Sequence, residues 1–319
     1  MKTTKLILLF TGLLALTACG DDEEPVVIHH GESTPIDTGN SRNDNRNTGG
    51  SAEAMSRYEF PKLRGGNSLL IVHRAILNDI SQEQGVNYCV EWDPAIRAQR
   101  WSCYQLYSSV NYKNGDNVSR YRADNTGSLL PSCQYPNDPD LAETYRLTAD
   151  PYKASGFDHG HICPSADRLR ATAANYQTFF ITNMQPQCNV FNAGLWEDME
   201  NQVRSWGGSM YSDTLYVCKG GTIDSDATIR GYIGSGENRI PIPKYFFMAL
   251  FSKKGTQYKA IGFWVEHLDD DHKGDDLKKY CVSIDRLEEL TGIDFFCNLP
   301  DDVEDRVEST VAMGDWGLR

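Results

Sequence analysis

From about Tyr58 onward, short runs of β-forming residues alternate with turn residues. Leu69-Leu70-Ile71-Val72 reads as a buried strand or a short turn of helix. Asn87–Trp92 and Arg100–Tyr107 read as strands joined by a turn around Asp93-Pro94. Thr178–Asn183, Leu215–Cys218, Lys244–Leu250 and Lys259–Val265 are further strand candidates, rich in β-branched and aromatic residues. Two stretches switch to helical periodicity. Leu195, Met199, Val203 and Trp206 form an apolar stripe after Asn192, stopped by Gly207-Gly208. Ser283 caps a second run, with Ile284, Leu287 and Leu290, that ends at Thr291-Gly292. The mixed order of elements, without a regular βαβ alternation, predicts an α+β fold with a mainly antiparallel sheet. No internal repeat or second linker interrupts this part, so residues 56–319 are expected to form one domain.

The first 55 residues follow a different pattern. Lys2 and Lys5 precede an apolar run from Leu6 to Leu16, too short to span a bilayer, which takes roughly 20 apolar residues. Residues 1–18 therefore read as an export signal. The ending Leu16-Thr17-Ala18-Cys19-Gly20 resembles a bacterial lipoprotein signal, which implies lipidation of Cys19 and anchoring in the outer membrane. The acidic run Asp21–Glu24 resembles a surface-export signal and extends the expectation to the cell surface. Residues 19–55 are polar and acidic, too poor in apolar surface to offset their ordering entropy, and read as a tether. His29-His30 lies inside that tether and is discounted as a metal motif.

Net charge changes the picture only once it is located. The chain carries −13, yet residues 51–268 hold 21 Lys/Arg against 22 Asp/Glu. The excess acid sits in the tether, in Asp269–Asp276 and in Asp301–Glu308. A near-neutral body excludes tight coating of DNA by a basic surface but permits an enzyme that grips a few phosphates. Asp269–Asp276 lacks the order of an EF-hand loop and reads as solvated. Beyond Cys19, eight of the nine cysteines remain, and an even number in an exported chain predicts disulfides. Trp92, Trp101, Trp196 and Trp264 are expected in the core, and Cys163 and Cys188 as packing or bridged residues.

The densest chemistry runs from Asp158-His159-Gly160-His161 to Asp167-Arg168, then Asn183-Met184-Gln185-Pro186-Gln187, then Asn192 through Trp196 to Glu200 and Arg204. Phosphodiester hydrolysis needs a base for water, a cation opposite the developing charge and relief of the leaving oxygen. Histidine supplies a neutral base near its ordinary pKa of about 6.5. Asn and Glu offer hard oxygens suited to Mg²⁺, which keeps several of its waters. At ~1.5 Å per residue, Asn192 and Glu200 lie ~12 Å apart along a regular helix, so contact through a metal-bound water is the easier geometry. Taken singly, Asn192 also fits a helix cap, Glu200 with Arg204 an i,i+4 surface pair, and Asn183 a turn.

Together these motifs resemble the DNA/RNA non-specific endonuclease family of the ββα-metal, or His-Me finger, class. Tyr88 and Arg100–Tyr104 upstream, and Leu290–Phe296 with Leu299-Pro300 downstream, extend the resemblance from about residue 67 to 310. The resemblance implies an antiparallel core with a ββα-metal site. It implies His161 as general base and Asn192 as the direct ligand of one Mg²⁺ (or Mn²⁺ or Ca²⁺), with Glu200 holding that ion's waters. Asn183 would support the site, Arg204 would lie near the scissile phosphate, and Asp158 would shape the turn presenting His161. DNA and RNA are the implied substrates, cut with little sequence preference to leave 5′-phosphates. His159 stands where the family has an arginine; protonated, it would partly replace that phosphate contact and favour lower pH. Arg168, Arg170 or Arg204 are the other candidates for the role. The rival reading is a catalytically idle surface lipoprotein that binds nucleic acid or a partner protein.

Overall fold

The computed structural model describes residues 42–123 and 133–318. Its centre is a seven-stranded sheet in the order β1-β2-β3-β6-β9-β10-β11. These strands are β1 (Leu69–Asn78), β2 (Glu83–Asp93), β3 (Ala98–Tyr107), β6 (Thr214–Gly221), β9 (Tyr245–Lys254), β10 (Gln257–Glu266) and β11 (Cys281–Val282). Every neighbouring pair in it is antiparallel. Two small ribbons stand apart: β4 (Asp158–His161) with β5 (Met184–Gln187), and β7 (Ile229–Ile233) with β8 (Ile240–Pro243). The α+β, mainly antiparallel expectation is met.

The central strands are buried on both faces, which is why Lys244–Leu250 reads as continuous rather than alternating. In β9, Phe246, Met248 and Leu250 enter one core while Phe247, Ala249 and Phe251 enter the other. The same two-residue alternation sends Leu215 and Val217 of β6 one way and Tyr216 and Cys218 the other. The first core also holds Ile162, Leu195, Met199 and Val203, so the chemistry-bearing segments sit on that face. The opposite face is covered by α1 (Ala52–Ser56), α5 (Ile284–Thr291) and α6 (Asp301–Glu308), which contribute Ala54, Leu287 and Val303. Helix α2 (Thr172–Gln177) packs beside β1.

Both expected helices form. The first runs as α3 (Asn189–Phe191), a π-helical turn (Asn192–Trp196) and α4 (Glu197–Trp206), closed at Gly207. In α5, the Ser283 side chain accepts from the Arg286 amide, and Gly292 ends the helix at φ 68°, a conformation natural to glycine. Trp92, Trp101 and Trp196 are core residues, whereas Trp264 is half-buried and stacks on Tyr245.

Three expectations are corrected. Thr178–Asn183 is not a strand: it leaves α2 through turns and a short 3₁₀ segment at Ile181–Asn183. Its aromatic residues serve tertiary contacts, Phe179 with Tyr121 and His161, and Phe180 with His73. Residues 42–55, polar enough to read as tether, are docked on the C-terminal region. Asn43 donates to the Leu299 carbonyl at 2.5 Å, Asn45 to Glu304 at 2.8 Å, and Asn47 to the Pro61 carbonyl at 2.9 Å. Short amides hold this segment by backbone hydrogen bonds, which a search for apolar burial overlooks. The eight cysteines from Cys89 to Cys297 are all unbridged. Six are buried as small apolar side chains; Cys89, Cys103 and Cys218 sit side by side on adjacent strands. Signal residues 1–18, Cys19 and the rest of the tether to residue 41 lie outside the described residues.

Candidate active site

Asp158, His159 and His161 lie on β4, which pairs with β5 so that His161 faces Met184 and Gly160 faces Gln185. A side chain on Gly160 would collide with Gln187, its Cβ falling 2.3 Å from the amide carbon. Asn183 pins the strand's exit. Its Oδ1 accepts from the Cys163 amide and its Nδ2 donates to the carbonyls of Cys163 and Thr178, all at 2.8 Å. Fully buried and fully bonded, Asn183 supports the site from behind and does not line the cleft.

His161 has a divided environment. Nε2 is buried without a hydrogen-bond partner. Burial, reinforced by the Arg120 guanidinium, pulls its pKa down to about 3. The ring is therefore neutral across the physiological range, and the residue lines an open cleft of ≈ 480 Å³. Asp158, Asn192, Glu197, Glu200 and Arg204 line the same cleft.

Across from β4, Asp158 Oδ2 accepts from the side-chain amides of Asn189 and Asn192, both at 3.0 Å. The Asn192 nitrogen is thus committed, which orients its carbonyl oxygen; among the described residues that oxygen accepts no hydrogen bond. Asn192 opens a kinked turn between α3 and α4, where Gly194 departs from helical dihedrals (φ −113°, ψ −112°).

Glu200 belongs to an ion network that surface spacing does not suggest. Its Oε1 accepts from Lys219 of β6 at 2.9 Å, and Oε2 lies 3.9 Å from Arg204. Arg204 in turn donates to Asp167 at 2.7 Å, and Tyr104 donates to the other oxygen of Asp167 at 2.7 Å. Burial raises the pKa of Glu200 while Lys219 and Arg204 oppose the rise. Lys219 is wholly buried, its ammonium 4.8 Å from the Trp196 ring centroid. Lys219 escaped the sequence reading because it sits in a strand pattern outside every motif. Arg204 reaches the cleft, but its charge is held first by Asp167.

His159 also lines the cleft, with its ring committed to neighbours. Its ring is sandwiched between Tyr135 (centroids 3.7 Å) and Tyr152 (4.0 Å), with Nε2 3.1 Å from Asp150. Burial lowers its pKa against the pull of Asp150, so a protonated phosphate contact that favours low pH is not what this environment provides. Arg168 and Arg170 are also spoken for, bonded to the carbonyls of Asn87 and Asp116 respectively. The cation that does line the cleft is Arg120, exposed and 5.2 Å from the Phe179 ring centroid, joined by exposed Lys153. No sequence signal marked Arg120. The acidic loop is solvated as expected, most of Asp269–Asp276 being exposed, and two bonds tie it to the site helix: Lys273 donates to the Ala193 carbonyl and the Gly274 amide to Asp198.

Comparison with known proteins agrees with this geometry. The chain is 28% identical over 229 residues to a nuclease of Nostoc sp. (strain PCC 7120 / SAG 25.82 / UTEX 2576), covering 70% of this chain and 76% of that one. It is 27% identical to mitochondrial nuclease EXOG of Xenopus laevis, over 71% of this chain and 61% of that one. Mitochondrial endonuclease G of Homo sapiens is 26% identical, over 67% and 68% respectively. The crystal structure of the EndoG/EndoGI complex shares the fold, with a TM-score of 0.57 at 19% identity, over 68% of this chain and 85% of that one. The family model for DNA/RNA non-specific endonucleases matches residues 78–302. The chain belongs to the DNA/RNA non-specific endonuclease family, whose members are hydrolases of nucleic-acid phosphodiester bonds.

Proposed function

We propose that this nuclease cuts DNA and RNA internally, with little sequence preference, using His161 as general base and a divalent cation held by Asn192 and Glu200. The observation that carries the reading is the bare, buried Nε2 of His161 in the same cleft as the oriented Asn192 oxygen. The donor set fits Mg²⁺, with Mn²⁺ or Ca²⁺ as substitutes: a single amide oxygen, a nearby carboxylate, and room for waters. When bound, the ion supplies positive charge beside the phosphate and the leaving oxygen.

The chain's own residues do the rest. The neutral His161 imidazole takes the proton of the attacking water on its unprotonated ring nitrogen. Asp158 holds the Asn192 amide so that its oxygen, not its nitrogen, faces the cleft. Lys219 and Arg204 hold Glu200 in place and oppose the rise in its pKa that burial causes. Arg120, with Lys153, grips the phosphate from the open side, the part that His159 does not play. These groups address phosphate rather than base edges, which accounts for sequence tolerance. An idle binder has no use for a buried bare imidazole beside an oriented amide. Export and lipid anchoring through Cys19 complete the proposal.

The test is nicking of supercoiled plasmid and cutting of RNA with Mg²⁺, with EDTA, and by His161→Ala and Arg120→Ala. We expect cutting to need the metal, to vanish in His161→Ala, and to fall by about 10²–10³ in Arg120→Ala, the usual effect of losing one charge-stabilising donor. Full activity of folded His161→Ala would overturn the assignment of the base.

A further inference from the structure

On the face of the sheet opposite the cleft, α5 and α6 bring three carboxylates together. One oxygen each from Asp285, Glu288 and Glu308 lies within 4.8 Å of the others. Like charges so close repel unless something offsets them. Among the described residues none of the three takes part in an ion pair, whereas the exposed acid beside them, Glu289, has Arg286. Glu288 Oε1 accepts from the Phe295 amide at 2.7 Å, which fixes that side chain without neutralising it.

The second observation concerns Glu308. It is only 5% exposed, yet its Oε1 has no hydrogen-bond partner. Without a counter-charge, burial and the neighbouring acids push its pKa up to about 11, so the acid holds a proton that a bound cation would displace. Asp285, by contrast, is exposed, which gives the group an entrance and room for water ligands.

We infer that Asp285, Glu288 and Glu308 form a second divalent-cation site, of the hard-oxygen type that suits Ca²⁺. Calcium accepts six to eight oxygens in flexible geometry, and three carboxylates from two helices with water at the open side match that preference better than the strict octahedron of Mg²⁺. Its role is structural. The ion joins α5 to α6, and through the Asn45–Glu304 hydrogen bond it also secures the docked N-terminal segment. The site stands apart from His161 and Asn192, so it does not depend on the proposed catalytic reading.

The experiment follows thermal unfolding and calorimetric binding of the full chain carrying Asn192→Ala, which removes the cleft's oxygen ligand. We expect CaCl₂ at a hundredfold excess over Kd to raise Tm by roughly 5 °C or more above the value in EDTA, and MgCl₂ to raise it less. Adding Glu308→Gln should leave Tm in EDTA little changed, because the acid it replaces is neutral there, and should abolish the Ca²⁺ response. Asp285→Asn, at the exposed position, is the second variant and should weaken Ca²⁺ binding at least about tenfold. No Ca²⁺ response in the parent, or a response that persists unchanged in Glu308→Gln or Asp285→Asn, would overturn the site.

Discussion

At the scale of single residues, the imidazole proposed as the base is defined by what it lacks. Most buried polar atoms are paired, so an unpaired Nε2 on the wall of a cleft marks a group prepared for an absent partner. Its depressed pKa has a consequence with a definite sign. A histidine titrating near 6.5 would lose half its basic form there and produce a falling acid limb in kcat/KM. His161, pulled down to about 3, stays unprotonated throughout pH 5 to 7.5. With metal saturating, the pH–rate profile of kcat/KM should show no inflection near 6.5 that His161 accounts for; a clear one that moves on changing His161's neighbour Arg120 would contradict this. His159 gives no low-pH gain either, since burial between two tyrosine rings also keeps it neutral.

At the scale of elements, the kink at Gly194 bears on a difficulty of spacing. Eight residues of regular helix advance about 800°, leaving Asn192 and Glu200 about 80° apart around the axis. Gly194 breaks that regular turn with a non-helical backbone (φ −113°, ψ −112°), and both residues line one cleft. Gly194→Val, which disfavours this backbone conformation, should displace Asn192 relative to Glu200. We expect cutting to fall sharply while the helical circular-dichroism signal is kept; undiminished activity would show that the kink is incidental. The kink also limits what the sequence disclosed. The stripe Leu195, Met199, Val203, Trp206 has regular spacing, so its pattern contains no trace of an irregular turn just before it. Strands buried on both faces were legible from their β-branched and aromatic content, and His161, Asn192 and Glu200 from linked motifs. Thr178–Asn183 has the same composition without the ladder, because Phe179 and Phe180 are spent on packing. Lys219 and Arg120 come from distant parts of the chain, and only folding brings the one to Glu200 and the other to the cleft.

At the scale of the whole molecule, the two faces of the sheet divide the work: one carries the cleft, the other the helices and the docked N-terminal segment. The proposed anchor would attach upstream of that segment, leaving the cleft free to meet polymeric substrate. Growth with labelled palmitate should mark the protein and not its Cys19→Ser variant; equal labelling of both would remove the anchor from the account. Among the described residues no helix is long and apolar enough to cross a membrane. The docked segment has one more consequence, in time rather than space. The Asp301 amide donates to the Arg42 carbonyl, and Asn298 reaches back to Ala54. These contacts join residues some 250 positions apart in the chain, so they add long-range closures of the kind that slow folding. The docked segment is seated fully only once the region around Asn298 and Asp301 is in place, so its long-range contacts should be among the last to form.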